Sequence, residues 1–541
     1  MKKLLATSAL VAMLGGCAPG EAPRESEAAQ PAPDPEVVLT TAGPIRGETV
    51  EGVRVFRGVP YAAAPVGDLR WRAPAPPLEW EETRDALSFG TPCWQPIVEG
   101  FYSRGPIERD EDCLYLNVWT RSVAGDDAPV MVWIHGGGLR IGHGHLPMYD
   151  GAALTDQGVV LVSINYRLGP LGFLAHPELS AESPHGVSGN YGILDQVAAL
   201  AWVRDNITAF GGNPGNVTIF GESAGSWSVC YLYASPLATG LFHRAIGQSG
   251  GCFEPHALLA EDSAAGRSGH HVGLGTAEFA GAEDLAALRA MPAETLYEKL
   301  AEQPPTGSPG VYVDGHLFPA TMADLVARGD HNRVPVMLGS NADEWTTMAL
   351  GRAEPDEEAY RAAQEATWGE LAPEILAAYA DDAAVSPAHA AGEILSDRFF
   401  ARQMRAWGRA QVAHGDAAWL YFFTHAPDVG GEYGTSRGAF HAAEIAYAFG
   451  NPHLGFHQTA SLEPRPEDVE VARLMSGYWT NFAKSGDPNG EGLPEWPAYG
   501  TQAEEVLDIS AAPTVITGLR KEKLDAMDRF FAAPGAGAAE E

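Results

Sequence analysis

Short apolar runs recur along the chain, separated by stretches of helical spacing. Val130-Met131-Val132-Trp133-Ile134 is one such run, Val159-Val160-Leu161-Val162-Ser163-Ile164 a second and Val217-Thr218-Ile219-Phe220 a third. Ala245-Ile246-Gly247 and Val334-Pro335-Val336-Met337-Leu338 continue the series. Apolar runs without polar alternation belong to strands covered on both faces. The stretches between them are helical in pattern: Ile193 to Asn206 carries Val197, Leu200, Ala201 and Val203, and its helix is predicted to begin near Asp195. Buried strands alternating with helices predict an α/β protein with a doubly wound, mostly parallel sheet. Residues 255–330 and 350–410, rich in Ala, Glu and Leu, read as helical insertions framing a substrate pocket. No fixed-period repeat occurs, and no linker after residue 36 divides the chain.

The two ends read differently. Lys2-Lys3, the apolar stretch Leu4 to Leu14 and then Gly15-Gly16-Cys17 have the charged, apolar and small-residue order of an export signal. Leu14-Gly15-Gly16-Cys17 also resembles a bacterial lipoprotein box, in which the cysteine is lipidated and becomes the first residue; the alternative is a conventional secretory signal that contains a cysteine. Residues 1–16 are therefore expected to be a signal peptide, 17–36 a lipidated Cys17 with a Pro-rich tether, 37–530 one α/β domain and 531–541 a disordered tail. The protein is expected to be exported, lipid-anchored on the periplasmic side or at the outer membrane, or else secreted or periplasmic.

Composition narrows the function. Asp+Glu 70 against Lys+Arg 35 gives a net charge of −35, which argues against nucleic acid, because phosphate binding needs clustered cations. No further apolar run is long enough for a spanning helix, so membrane contact is expected only through Cys17. Of the five cysteines, Cys93 and Cys113 could close a loop whose bridge would contribute about 3 kcal/mol. Cys230, in an apolar helical stretch, and Cys252, after a strand-like run, read as buried free thiols. None of the five has metal-ligand spacing, so no metal site is expected.

The apolar run 217–220 leads straight into Gly221-Glu222-Ser223-Ala224-Gly225. Strand, G-x-S-x-G, then helix is the pattern of a nucleophile elbow, where two glycines permit a turn tight enough to expose a serine hydroxyl. In a chain with 62 glycines the bare pattern also fits an ordinary βα turn, so its flanks decide. His135-Gly136-Gly137-Gly138 follows the run 130–134, and its unobstructed N–H groups suit an oxyanion hole. For the base, the expected order Ser, acid, His leaves His389, His414, His425, His441, His453 and His457. His441 lies in a loop leading into an apolar segment, a suitable place that does not separate it from His425. Asp343 and Glu344 both follow the run 334–338, at a strand end where α/β sheets carry functional groups, and spacing does not choose between them.

These motifs resemble the type-B carboxylesterase family, which includes the cholinesterases. So do Glu111-Asp112-Cys113-Leu114-Tyr115-Leu116-Asn117-Val118, Asn165-Tyr166-Arg167 with Gly172-Phe173-Leu174, and Gly211-Gly212-Asn213-Pro214, and the similarity runs from about 37 to 530. The resemblance implies an α/β-hydrolase fold with helical insertions over the site, and a serine esterase acting on small-molecule esters without cofactor or metal. It makes Ser223 the nucleophile, Glu344 the acid and, through Gly-Ala-x-His at 438–441, His441 the base. It assigns the oxyanion N–H groups to Gly137, Gly138 and Ala224, a disulfide to Cys93 and Cys113, and a structural ion pair to Arg70 and Glu111. Glu222 and Ser249, in Gln248-Ser249-Gly250, would support the triad from behind.

Two departures stand out. The Cys93–Cys113 segment has no tryptophan in its second half, where choline-specific relatives stack a quaternary ammonium, and Trp94 beside Cys93 does not replace it. A cholinesterase is therefore disfavoured. Cysteines for the family's later disulfides are missing, and Cys252 matches a position often held by a free thiol. Trp227, Phe318, Trp345, Phe399 and Phe400 are candidates for pocket walls. The rivals are amidase, thioesterase or acyltransferase chemistry on the same triad, and a non-catalytic adhesion protein on the same fold.

Overall fold

A computed structural model describes residues 36–97, 107–302, 306–348, 353–427, 438–454 and 463–532. The segments 1–16, 17–36 and 531–541 fall outside it save for residues 36, 531 and 532, so Cys17 lies outside the described residues, as does His457.

The uninterrupted apolar runs become the centre of one large sheet. Its strands are Glu48–Val50 (β1), Val53–Pro60 (β2), Tyr115–Thr120 (β3), Ala128–Ile134 (β4), Val160–Ile164 (β5), Gly212–Glu222 (β6), Arg244–Gln248 (β7), Val336–Asn341 (β8), Ala418–Phe423 (β9), Glu505–Ile509 (β10) and Thr514–Thr517 (β11). They lie in the order β11-β10-β9-β8-β7-β6-β4-β5-β3-β2-β1. Pairing is parallel from β5 through to β10 and antiparallel at both margins. Val37–Leu39, Pro44–Arg46 and Arg84–Asp85 form a separate small sheet. β8 begins two residues later than its apolar run. Pro335 has no N–H to give a ladder, and its carbonyl instead accepts from Ala245 N–H at 3.1 Å.

Alternate residues of the central strands feed two cores. Val132 and Ile219 face the helices Tyr191–Asn206 (α1), Ala224–Ala234 (α2) and Arg402–Ala413 (α3), whereas Trp133, Phe220 and Met337 face Pro466–Ser485 (α4). The result is the helix–sheet–helix layering that the continuous runs require. The described part of 350–410 is largely helical, whereas that of 255–330 is mostly loop carrying four short helices, Gly269–Phe279, Leu285–Ala290, Ala293–Lys299 and Met322–Arg328. No helix among the described residues is long and apolar enough to cross a membrane.

Two sequence expectations need correction. α1 starts at Tyr191, not near Asp195, because Asn190 supplies the turn with a left-handed backbone (φ 54°). Asp195 is no cap; its buried carboxylate accepts from Arg167 Nε at 2.8 Å and Nη2 at 2.7 Å. Cys230 and Cys252 are not free thiols but a disulfide, with Cα atoms 5.7 Å apart. Each was read from its own neighbourhood, whereas the contact depends on the β6–β7 register, Gln248 opposite Glu222, which lays the turn after β7 against α2.

Candidate active site

β6 ends at Glu222 and α2 begins at Ala224, so the whole reversal falls on Ser223, at φ 56° and ψ −123°. Its glycine flanks are steric necessities. A Cβ on Gly225 would lie 2.1 Å from the Ile134 carbonyl oxygen, and one on Gly221 would lie 2.7 Å from the same atom. Ser223 N–H donates to the Gln248 carbonyl at 2.9 Å, and its own carbonyl accepts from Trp227 N–H at 2.9 Å. The side chain is placed at the end of β6 with 8% of the residue's surface still exposed.

The glycine loop after β4 lies beside this turn. Gly137 (φ 103°) and Gly138 (φ 62°) both hold backbone angles that side chains disfavour, and the space a Cβ would occupy at Gly138 is open. The N–H groups of Gly137, Gly138 and Ala224 have no acceptor among the described residues. Such unmatched donors, one of them at a helix start, suit an anionic oxygen. His135 anchors the loop: its ring stacks on Tyr166 with centroids 4.4 Å apart, and burial pushes its pKa down to about 4, keeping it neutral.

The adjacent acids after β8 part company. Glu344, fully buried, places Oε2 2.6 Å from His441 Nδ1 and accepts from Asn341 N–H through Oε1 at 2.8 Å. Asp343 turns to the other strand of the loop, where Oδ2 accepts from Ala439 N–H at 2.8 Å. His441 Nε2 lies 3.2 Å from Glu222 Oε1. Burial alone would lower the His441 pKa, but Glu222, Glu344 and Glu444 together hold it up at about 9.

The other histidines lie elsewhere. His425 Nε2 is 2.6 Å from Asp468 Oδ1, inside a pair with Arg465, and His414 Nε2 is 2.6 Å from the Val326 carbonyl. His389 faces Asp382 at 3.8 Å, and His453 is exposed.

Glu444 is the residue that sequence reading missed. Its Oε2 accepts from Asn341 Nδ2 at 2.6 Å and its Oε1 from Gln248 Nε2 at 3.1 Å. Burial, then the charge of Glu344, raises its pKa to about 7. The available signal was its spacing three residues beyond His441, one turn on. Ser249 sits at the end of β7 with a left-handed backbone (φ 55°), and its buried hydroxyl meets no partner among the described residues.

The supporting features fall as follows. Cys93 and Cys113 form a disulfide, and Arg70 meets Glu111 through two nitrogens, Nε at 2.6 Å from Oε2 and Nη2 on Oε1. Trp94 lies under the Arg109 guanidinium, 4.3 Å from its ring centroid. Phe318 is fully buried core, whereas the Phe400 ring lies 4.8 Å from the His441 ring. Phe399 is partly exposed, and Trp227 and Trp345 are half-buried. No group of three or more His, Cys, Asp or Glu that could hold a metal occurs among the described residues.

A mixed sheet with parallel centre, a left-handed serine at its carboxyl edge and a carboxylate-bound imidazole against the residue before that serine define an α/β-hydrolase. Comparison with known proteins makes this more specific. The chain belongs to the carboxylesterase family, whose profile matches residues 34–527, and it is a carboxylic ester hydrolase. It is 38% identical over 488 residues to the fumonisin B1 esterase of Sphingopyxis macrogoltabida, covering 87% of this chain and 86% of that protein. It is 35% identical over 503 residues to the para-nitrobenzyl esterase of Bacillus subtilis, covering 90% and 97%. Among solved structures it resembles a carboxylesterase of Geobacillus stearothermophilus, with a TM-score of 0.79, 35% identity, and 91% and 99% of the two chains covered.

Proposed function

We propose that the protein hydrolyses small-molecule carboxylic esters through an acyl-enzyme on Ser223, with His441 as base and Glu344 as its orienting acid. The observation that carries this reading is the 2.6 Å contact of Glu344 with His441 Nδ1, while His441 Nε2 lies against Glu222, the residue before the left-handed Ser223. A buried carboxylate on Nδ1 favours the tautomer whose Nε2 carries the lone pair that takes a proton, and it stabilises the imidazolium that results.

Ser223 Oγ attacks the ester carbonyl as His441 removes its proton. The N–H groups of Gly137, Gly138 and Ala224 take the oxyanion, each donor contributing about 3–4 kcal/mol in the transition state. The protonated His441 gives its proton to the departing alcohol, and water activated by the same imidazole then frees the acid.

The test compares wild type with Ser223→Ala on p-nitrophenyl esters of rising acyl length. Loss of turnover with an unchanged circular dichroism spectrum is expected; retained hydrolysis in the variant would overturn the assignment. A sharp optimum along the series would define the acyl space, and comparison with matched anilides and thioesters separates ester hydrolysis from amidase and thioesterase action.

A further inference from the structure

We propose that the Cys230–Cys252 disulfide is a positioning clamp for the nucleophile, locking the elbow helix to the turn after β7 so that Ser223 keeps its left-handed backbone and its place beside His441. The proposal rests on Ser223 being the nucleophile. It begins with the turn itself, Ser249-Gly250-Gly251-Cys252, which packs directly on the elbow. A Cβ at Gly250 would lie 2.7 Å from the Ser223 carbonyl oxygen and 2.8 Å from the Trp227 ring. Ser226 Oγ donates to the Gly250 carbonyl at 2.5 Å, and Ser223 N–H donates to the Gln248 carbonyl.

Both strands end on a strained residue. Ser223 at φ 56° follows β6, and Ser249 at φ 55° follows β7 at the matching register. Such conformations persist only where the surroundings over-determine them. The disulfide does so from beyond both: Cys230 is on α2, and Cys252 follows Gly251. Both sulfurs belong to buried residues, and Cys252 N–H points at Cys230 Sγ at 3.1 Å.

The strand end that leads into this turn reaches the base side. Gln248 Nε2 donates to Glu444, one turn beyond His441, and Gln248 Oε1 accepts from Trp479 Nε1 at 3.0 Å. Ser249 N–H donates to the Gly339 carbonyl of β8, the strand that leads to Glu344. The clamped turn and the strand residue before it therefore touch the nucleophile's helix, the acid's strand and the segment after the histidine.

The experiment uses the full chain and p-nitrophenyl butyrate. Linked peptides containing Cys230 and Cys252 are expected in an unreduced digest; their absence would overturn the proposal. Cys230→Ala/Cys252→Ala, measured well below its Tm, should lose kcat by about 10- to 100-fold with KM little changed, as small displacements of a reacting group do. Its rate of inactivation by an organophosphate should fall by the same factor, because that step needs the placed nucleophile, its base and the oxyanion donors but no deacylation. Cys230→Ser/Cys252→Ser, which keeps the volume without the bond, should show the same loss; wild-type kcat in this variant would overturn the clamp. If the alanine pair does not fold, reduction of Cys93→Ser/Cys113→Ser, whose one remaining disulfide is the clamp, supplies the readout. A lower Tm with wild-type kcat would leave the bond a staple and refute the proposal while the catalytic reading stands. Turnover in Ser223→Ala would instead defeat both.

Discussion

Asp343 and Glu344 show how a backbone divides labour between adjacent acids. Glu344 points into the site and holds His441, whereas Asp343 caps Ala439 N–H and fastens the loop that carries the histidine. Glu344→Gln should lower kcat by roughly four orders of magnitude, the scale seen when the residue behind a catalytic histidine loses its charge. Asp343→Asn, which keeps an acceptor for Ala439, should leave kcat close to wild type; the reverse ranking in steady-state kinetics would refute the assignment. The pH profile tests the neighbouring charges. His441 must be neutral to act as base, so activity rises as pH rises through the pKa of the His441–carboxylate cluster and is lost below it. Glu222, 3.2 Å from Nε2, is one of the groups holding that pKa up. Glu222→Gln should therefore shift the rising limb of kcat/KM to lower pH, and an unmoved limb would show that Glu222 does not face the working imidazole. Ser223 was legible in the sequence because the close approach of the Ile134 carbonyl to the turn leaves room only for glycine on either side of it. The choice of acid needed family resemblance, since spacing treats Asp343 and Glu344 alike. Glu444 escaped because its one local signal, the spacing from His441, says nothing of its burial against Asn341 and Gln248.

At the scale of elements, strands were more legible than their junctions. β4, β5, β6 and β7 announce themselves as apolar runs, because a strand buried on both faces has no polar side to show. The segment Asp397–Ala401 does not: it is a single π-helical turn between the helix Pro387–Ser396 and α3. Such turns often mark functional sites. This one is anchored through Asp397, which accepts from Arg520 Nη1 at 2.9 Å and from Tyr379 OH at 2.6 Å, and it carries Phe400 to the His441 ring. Phe400→Ala removes a buried ring and should cost about 3–5 kcal/mol in denaturant unfolding. It should also lower kcat by freeing the imidazole. Lost stability with unchanged kcat would make Phe400 a packing residue only. The Cys230–Cys252 bond was illegible for a related reason. A helix and a turn meet there only because β6 and β7 pair in a particular register.

For the whole molecule, the excess of acidic residues coexists with a well-paired set of arginines. Arg405 and Arg409 both bind Glu504, and they join Asp525 and Asp528 of the last described helix, Lys521–Ala532, to α3. The net charge of −35 thus describes the surface and carries no information about the reaction, whereas the sheet order and the motifs at its carboxyl edge do. Family blocks spread along the chain made the architecture readable, yet bringing Glu344 and Glu222 onto His441 is a property of the folded sheet. The central claim is that one serine carries the whole activity. Titrating the protein with an organophosphate and mapping the adduct by peptide mass spectrometry tests it most directly. One adduct is expected, on Ser223, with esterase activity falling in proportion to its occupancy. Full occupancy of Ser223 with turnover intact, or inactivation tracking an adduct on another residue, would contradict it.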